Sequence, residues 1–324
     1  MTKAIVVERA GAPSVLKLRE VPLARPKRGE ALVRHAAIGV NFIDIYERTG
    51  LYKMAMPYTP GREGAGTVAA VGPGVRNVKI GDSVAYVDYD LGAYAESRII
   101  SAHKLVRLPR GISPELAAAT IFKGLTAWFL VRRTHRIRPG DMVLIHAAAG
   151  GVGLILSQWA KQLGATVIAT VGTPAKARLL KRLGIDHVIV YTREDFVARV
   201  RKITKGRGVD VVYDSVGKDT FPGSLDCLRP RGLFVTFGNA SGPVPPFAPL
   251  LLAQKGSLFM TRPMLFQHIR DPKELRQGAR ELFGAIRSGA IMVEGGRVYR
   301  LKDAAKAHRD LAGRKTIGPS ILVP

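Results

Sequence analysis

The segment Ala147 to Gly153 reads Ala-Ala-Ala-Gly-Gly-Val-Gly. It stands between an apolar run, Met142 to Ile145, and a stretch of helical composition, Leu154 to Leu163. Small residues there let the backbone turn tightly, approach an anion and aim helix-terminal N–H groups at it. The spacing is a variant of the dinucleotide fingerprint, with an alanine at the first glycine place and Gly150 and Gly153 at the second and third. A glycine string alone is weak evidence. Placed between strand and helix in a repeating βα pattern, it reads as a cradle for a pyrophosphate.

The next apolar run, Thr166 to Thr170, ends where an NAD site would offer an acid to the ribose hydroxyls. The chain instead continues Val171, Gly172, Thr173, Pro174, Ala175, Lys176, and the next acid is Asp186. A 2′-phosphate would meet a hydroxyl and a cation without repulsion, so NADPH is expected over NADH.

Metal chemistry finds little to hold it. Cys227 is the single cysteine, which excludes an intrachain disulfide and a thiolate zinc cluster, and it reads as a small packed residue. The seven histidines show no ligand pair at helical spacing. His146, just before the cradle, reads as a structural or cofactor-packing group.

Two kinds of element must position these residues. Up to about residue 122 the chain reads as mainly β, with short strands at Ala4 to Val7, Glu30 to Ala36, Gly66 to Val71 and Ser83 to Tyr86. From Met142 the pattern becomes strands alternating with helices. The β runs are Met142 to Ile145, Thr166 to Thr170, His187 to Val190, Val209 to Tyr213, Leu233 to Phe237 and Ser257 to Met260. Six such strands fit a doubly wound parallel sheet. Helices are expected at Leu154 to Leu163, Ala175 to Leu183, Asp195 to Thr204 and Pro272 to Ser288, with a Pro-rich loop at Gly242 to Pro249 and a final strand at Ser320 to Val323. The tail from about 266 is expected to complete the first domain. At 324 residues, two cores are the working expectation for this α/β chain.

Fifty Lys and Arg against 25 Asp and Glu give a formal charge of +25. The basic residues are spread out, with short concentrations such as Arg132, Arg133, Arg136 and Arg138, and without aromatic interleaving. They read as a basic solvated surface that attracts anions; sequence-blind nucleic-acid binding is the competing reading. The start at Met1 lacks a secretory leader, and no apolar run approaches a membrane span, so a cytoplasmic protein is expected.

Taken in order, several stretches resemble one family. They are Gly39-Val-Asn-Phe-Ile-Asp44, Gly61-Arg-Glu-Gly-Ala-Gly66, Lys123-Gly-Leu-Thr126, His146 to Gly153, Val212-Tyr-Asp-Ser-Val-Gly217, Phe237-Gly-Asn239 and Arg314 to Pro324. The whole chain is similar to the quinone oxidoreductase branch of the medium-chain dehydrogenase/reductases, the relatives of zeta-crystallin. The resemblance implies a GroES-like, mainly β catalytic domain over 1–122 and 266–324, and a Rossmann NADPH domain over 123–265. It also implies a homodimer paired through the edge run Ser257 to Met260.

By matched motif, Asn41, Phe42, Asp44 and Tyr46 are expected at the nicotinamide end, and Phe129, Gly151 and Val152 at the middle of the cofactor. Gly172, Thr173 and Lys176 would hold the adenosine phosphate, with Tyr191 beside it. Ser215, Phe237, Asn239, Ala240 and Met264 would complete the nicotinamide wall, and Arg314 would reach it from the tail. Ala240 stands where a serine is common.

Zinc-dependent relatives carry a cysteine where this chain has Asn41 and a histidine where it has Arg62, so the resemblance implies metal-free hydride transfer to an electron-poor acceptor. Asn41, Tyr46 and Tyr52 are the candidate polar groups at that acceptor, with Arg262 as an electrostatic partner. Tyr52 reads equally well as a hydrophobic lid residue, and Asp44 as an organiser of its loop or of the carboxamide. The acceptor is a quinone or, alternatively, an α,β-unsaturated aldehyde or ketone, which the sequence does not separate.

Overall fold

The computed structural model describes all 324 residues as two compact units. One comprises Met1–Leu125, Phe266–Arg287 and Val293–Pro324; the other comprises Thr126–Leu265 and Ser288–Met292. The expected division had placed 123–125 with the second unit and 288–292 with the first.

The second unit is built on a six-stranded, wholly parallel sheet. Across it lie His187–Val190, Thr166–Val171, Met142–Ile145, Val209–Asp214, Leu228–Thr236 and Phe259–Thr261. In chain order that is third, second, first, fourth, fifth, sixth, so the strand order reverses beside Met142–Ile145, where open α/β sheets bind ligands. The central strands carry Val143, Leu144, Val167, Ile168, Val211 and Val212 at zero exposure, as a sheet covered on both faces requires. Helices Gly151–Gln162, Pro174–Arg182, Phe196–Ile203 and Phe221–Asp226 follow successive strands.

Two expected strands shift. Leu233 to Phe237 begins earlier, at Leu228, and stops at Thr236, so Phe237 lies past its end. The edge run becomes Phe259–Thr261, because Ser257 turns at φ +55° before the strand can start.

The first unit holds a seven-stranded, mostly antiparallel sheet. Its long strand Glu30–Val40 pairs with Glu63–Val71 on one side, and with Ser97–Ser101 and the C-terminal Ser320–Val323 on the other. The chain end thus closes the N-terminal sheet: Ser320 stands opposite Val40, and Leu322 opposite Ile38. Val33, Ile38, Val68, Tyr86, Tyr94 and Leu322 form its core. Each aliphatic side chain buried so fully contributes about 1.5–3 kcal/mol.

This unit is less purely β than expected. A helix at Phe42–Thr49 interrupts the strands, and Pro114–Phe129 is helical over 16 residues. A two-stranded ribbon, Thr2–Val6 with Lys17–Val21, had been read only in its first half. No helix of the chain is long and apolar enough to cross a membrane.

Candidate active site

The cradle forms as its residue types require. Gly150 caps the helix Gly151–Gln162, and its backbone N–H donates to the carbonyl of Ala147 at 2.9 Å. A Cβ on Gly153 would stand 2.4 Å from the Ala147 carbonyl oxygen, so glycine is obligatory there. The tight turn falls on Ala147, which adopts φ +51°. Gly151 and Val152 are half-buried at the helix start, and Phe129 is buried, so that any part of Phe129 in cofactor binding acts through packing.

At the end of the second strand, Gly172, Thr173, Lys176 and Tyr191 come together. The Thr173 hydroxyl caps the helix Pro174–Arg182 by accepting from the Lys176 amide, and a Cβ on Gly172 would lie 2.8 Å from the Tyr191 hydroxyl. No carboxylate stands in the loop 172–176. Asp186, the next acid, is tied to the amide of Val167, where the second strand begins, and to Lys161.

Ser215, Phe237 and Ala240 also converge, since Ala240 N–H donates to the Ser215 carbonyl and Phe237 N–H to the Asp214 carbonyl. A Cβ on Gly238 would be 2.5 Å from the Ser215 oxygen, which presses Asn239 and Ala240 against that strand end. Asp214 holds the turn by accepting from the amides of Val216 and Gly217 and the hydroxyl of Thr220. Arg262 is tethered to the Thr236 hydroxyl and the Gly238 carbonyl, each at 3.0 Å, and Met264 is exposed beyond it.

His146 is structural: buried, it bonds Thr170 at 2.9 Å and Ser224 at 3.1 Å, and burial lowers its basicity. Cys227 packs at the end of helix Phe221–Asp226 with zero exposure, and burial pushes its thiol up to about 12.

In the first unit, Asn41 caps the helix Phe42–Thr49, and its backbone N–H donates to Oδ2 of Asp44 at 2.8 Å. Asp44 is wholly buried and organises this helix start. Phe42, Tyr46 and Tyr52 form an aromatic row with centroids 6.1 and 5.4 Å apart, the second pair edge-to-face. Tyr46 is buried and Tyr52 half-buried. Arg314 lies exposed at φ +57°, just after the helix Ala304–Ala312.

Asn41, expected as a donor to the acceptor, has one N–H committed: Nδ2 donates to Oε1 of Glu63 at 2.8 Å. The same oxygen takes the Lys123 ammonium at 2.8 Å. Arg62, likewise, pairs with the buried Glu47 through Nε at 2.7 Å and stacks on Tyr89 and Phe266. A guanidinium has no lone pair to give a metal, and Asn41 turns its N–H face inward, so neither residue replaces the ligands it stands for.

Glu63 and Lys123 lie in motifs read from the sequence, yet neither had been given a role. The signal available was chemical: an acid among glycines and a lysine inside an apolar helix both ask for a buried partner. Tyr94, which bonds both Asp44 and His308, and His308 itself carried no such signal.

A dinucleotide cradle at the strand-order reversal of a parallel sheet, in a chain that also carries a GroES-like antiparallel sheet closed by its own tail, defines a medium-chain dehydrogenase/reductase. The family model for the alcohol dehydrogenase GroES-like domain matches residues 27–110, and that for zinc-binding dehydrogenases matches 151–277. A quinone oxidoreductase of Pseudomonas aeruginosa is 49% identical, with both chains covered in full. The crystal structure of Escherichia coli quinone oxidoreductase complexed with NADPH superposes with a TM-score of 0.97 at 48% identity, over 99% of this chain and 100% of that one. A 2-haloacrylate reductase of a Burkholderia species is 43% identical over 100% of this chain and 99% of its own. The chain belongs to the zinc-free quinone oxidoreductase branch of the medium-chain dehydrogenase/reductase superfamily.

Proposed function

We propose that the chain is an NADPH-dependent reductase of quinones that works without a metal. The observation that carries this reading is the built cofactor site. The Gly150–Gly153 turn has no room for a side chain at Gly153, and Thr173, Lys176 and Tyr191 surround a strand end without a carboxylate. These residues fit a 2′-phosphorylated dinucleotide, with the pyrophosphate on the helix start and the extra phosphate by Lys176. The names of the relatives and the NADPH in the Escherichia coli structure support the same assignment.

Bound NADPH supplies the hydride, and one further proton completes the reduction of quinone to quinol. The chain's own part is to orient and polarise. Asn41 would offer its second N–H to the acceptor oxygen, the Phe42, Tyr46 and Tyr52 row would meet its ring, and Ser215, Phe237, Asn239, Ala240, Met264 and Arg314 would hold the cofactor. Arg262 steadies the loop after Thr236 by its two hydrogen bonds.

Reduction of a conjugated alkene is a second reading, favoured by the likeness to a 2-haloacrylate reductase. We also assign a cytoplasmic homodimer paired along Phe259–Thr261, which ends the parallel sheet and leaves Phe259 62% exposed.

The test is oxidation of NADPH and of NADH by para-benzoquinone, phenanthrenequinone and a 2-alkenal, with and without a chelator. NADPH-specific, chelator-insensitive quinone turnover is expected. Turnover of the alkenal alone would transfer the assignment to enone reduction, and NADPH binding with no turnover would overturn both.

A further inference from the structure

The Glu63 carboxylate is wholly buried and receives donors from three places. The Asn41 side-chain amide and the Lys123 ammonium each approach Oε1 at 2.8 Å, and the Phe122 backbone N–H approaches Oε2 at 2.8 Å. Lys123 is itself 4% exposed, so the ion pair is shut off from water. The strand facing Glu63 is cut away to admit it, for a Cβ on Gly39 would lie 1.9 Å from Oε1.

This arrangement has a directional consequence. An ionised carboxylate only accepts hydrogen bonds, so the amide beside it must present N–H and turn its carbonyl oxygen away. The ammonium that shares Oε1 with the amide pins that oxygen in place and so fixes the amide through it.

We infer that Glu63 and Lys123 are positioning residues for hydride transfer. Lys123 holds the Glu63 carboxylate in place, and Glu63 locks Asn41 with its carbonyl oxygen and one N–H directed at the reacting molecules. This rests on the reading of the chain as an NADPH-dependent reductase with Asn41 at the acceptor. Two buried charges held in register by one oxygen are a costly way to stabilise a fold, since an apolar pair of equal volume does as well.

The test compares wild type with Lys123→Met, Lys123→Arg, Glu63→Gln, the neutral pair Glu63→Gln/Lys123→Met, Asn41→Ala and Asn41→Ala/Lys123→Met. Fold is followed by thermal unfolding and NADPH affinity by nicotinamide fluorescence. Folded Lys123→Met and the neutral pair are expected to lose about tenfold or more in kcat for a quinone, with NADPH affinity within about twofold. Lys123→Arg should recover most of that loss. Asn41→Ala/Lys123→Met should be no slower than Asn41→Ala, because residues acting through one another are not additive. Should Lys123→Met not fold, the neutral pair, which buries no charge, carries the test. A folded Lys123→Met or a folded neutral pair with kcat within about twofold of wild type, or losses from Asn41→Ala and Lys123→Met that multiply, overturns the proposal. A wild type that turns over no acceptor overturns the functional reading instead.

Discussion

The phenolic oxygen of Tyr94 lies 2.9 Å from Oδ2 of Asp44, and the same oxygen meets Nε2 of His308 at 3.1 Å. Three polar side chains from distant parts of the sequence thus form one buried chain behind the helix that Asn41 caps. Burial dominates their protonation: it raises the Asp44 carboxyl to about 7 and drives the His308 imidazole down to about 3.

The sign of the Asp44 effect can be measured. Between its ordinary 3.8 and about 7, the folded chain holds a proton that the unfolded chain has released. Its contribution to stability therefore falls as pH rises through that window and levels off above it. His308, and His35 at about 4, act in the opposite sense, since the unfolded chain binds their protons first. Asp44→Asn removes only the first contribution. Denaturant unfolding should show the stability of wild type relative to Asp44→Asn declining from pH 4 to 7 by about 4 kcal/mol at most. A rising difference would refute the assignment.

Gly153→Ala should strike the cofactor site. The added methyl would sit 2.4 Å from the Ala147 carbonyl oxygen, so the turn must open. NADPH affinity, measured by fluorescence titration, is expected to drop by about tenfold or more, roughly 1.4 kcal/mol. Unchanged affinity would show that the turn does not hold the pyrophosphate.

Lys176→Glu tests the cofactor preference. A carboxylate on the helix that Thr173 caps would repel a 2′-phosphate and leave NADH untouched. KM for NADPH should rise about tenfold or more while that for NADH stays within about twofold. Equal effects on both would mean that Lys176 does not meet the phosphate.

Phe259→Arg tests the assembly. Phe259 is exposed on the edge strand, where a charge blocks strand pairing. Sedimentation should show a dimer for wild type and a monomer for the variant; two dimers would place the interface elsewhere.

The parallel sheet was legible because its strands are short apolar runs punctuated by turns, and Met142–Ile145 and His187–Val190 were placed to the residue. The helix Pro114–Phe129 was not, for a physical reason. Ile121, Leu125 and Trp128 are buried on one face and Thr120, Lys123 and Ala127 on the opposite one, so no amphipathic period marks it. Phe42–Thr49 was hidden by its β-branched and aromatic residues, although Asn41 with Asp44 three places on is a capping signal. Lys17–Val21 has no apolar face at all. Of the site, the cradle was legible because its chemistry is local. The Glu63–Lys123 pair was not, because its partners are 60 residues apart and only the fold brings them together.

Quinones and conjugated carbonyls arylate or alkylate thiolates, and an enzyme that collects such molecules risks inactivation by its own substrates. Cys227, sealed in the core with its thiol pushed up to about 12, offers them no nucleophilic sulfur. After exposure to a reactive quinone, peptide mapping should find Cys227 unmodified in the folded protein and carrying an adduct in the unfolded chain.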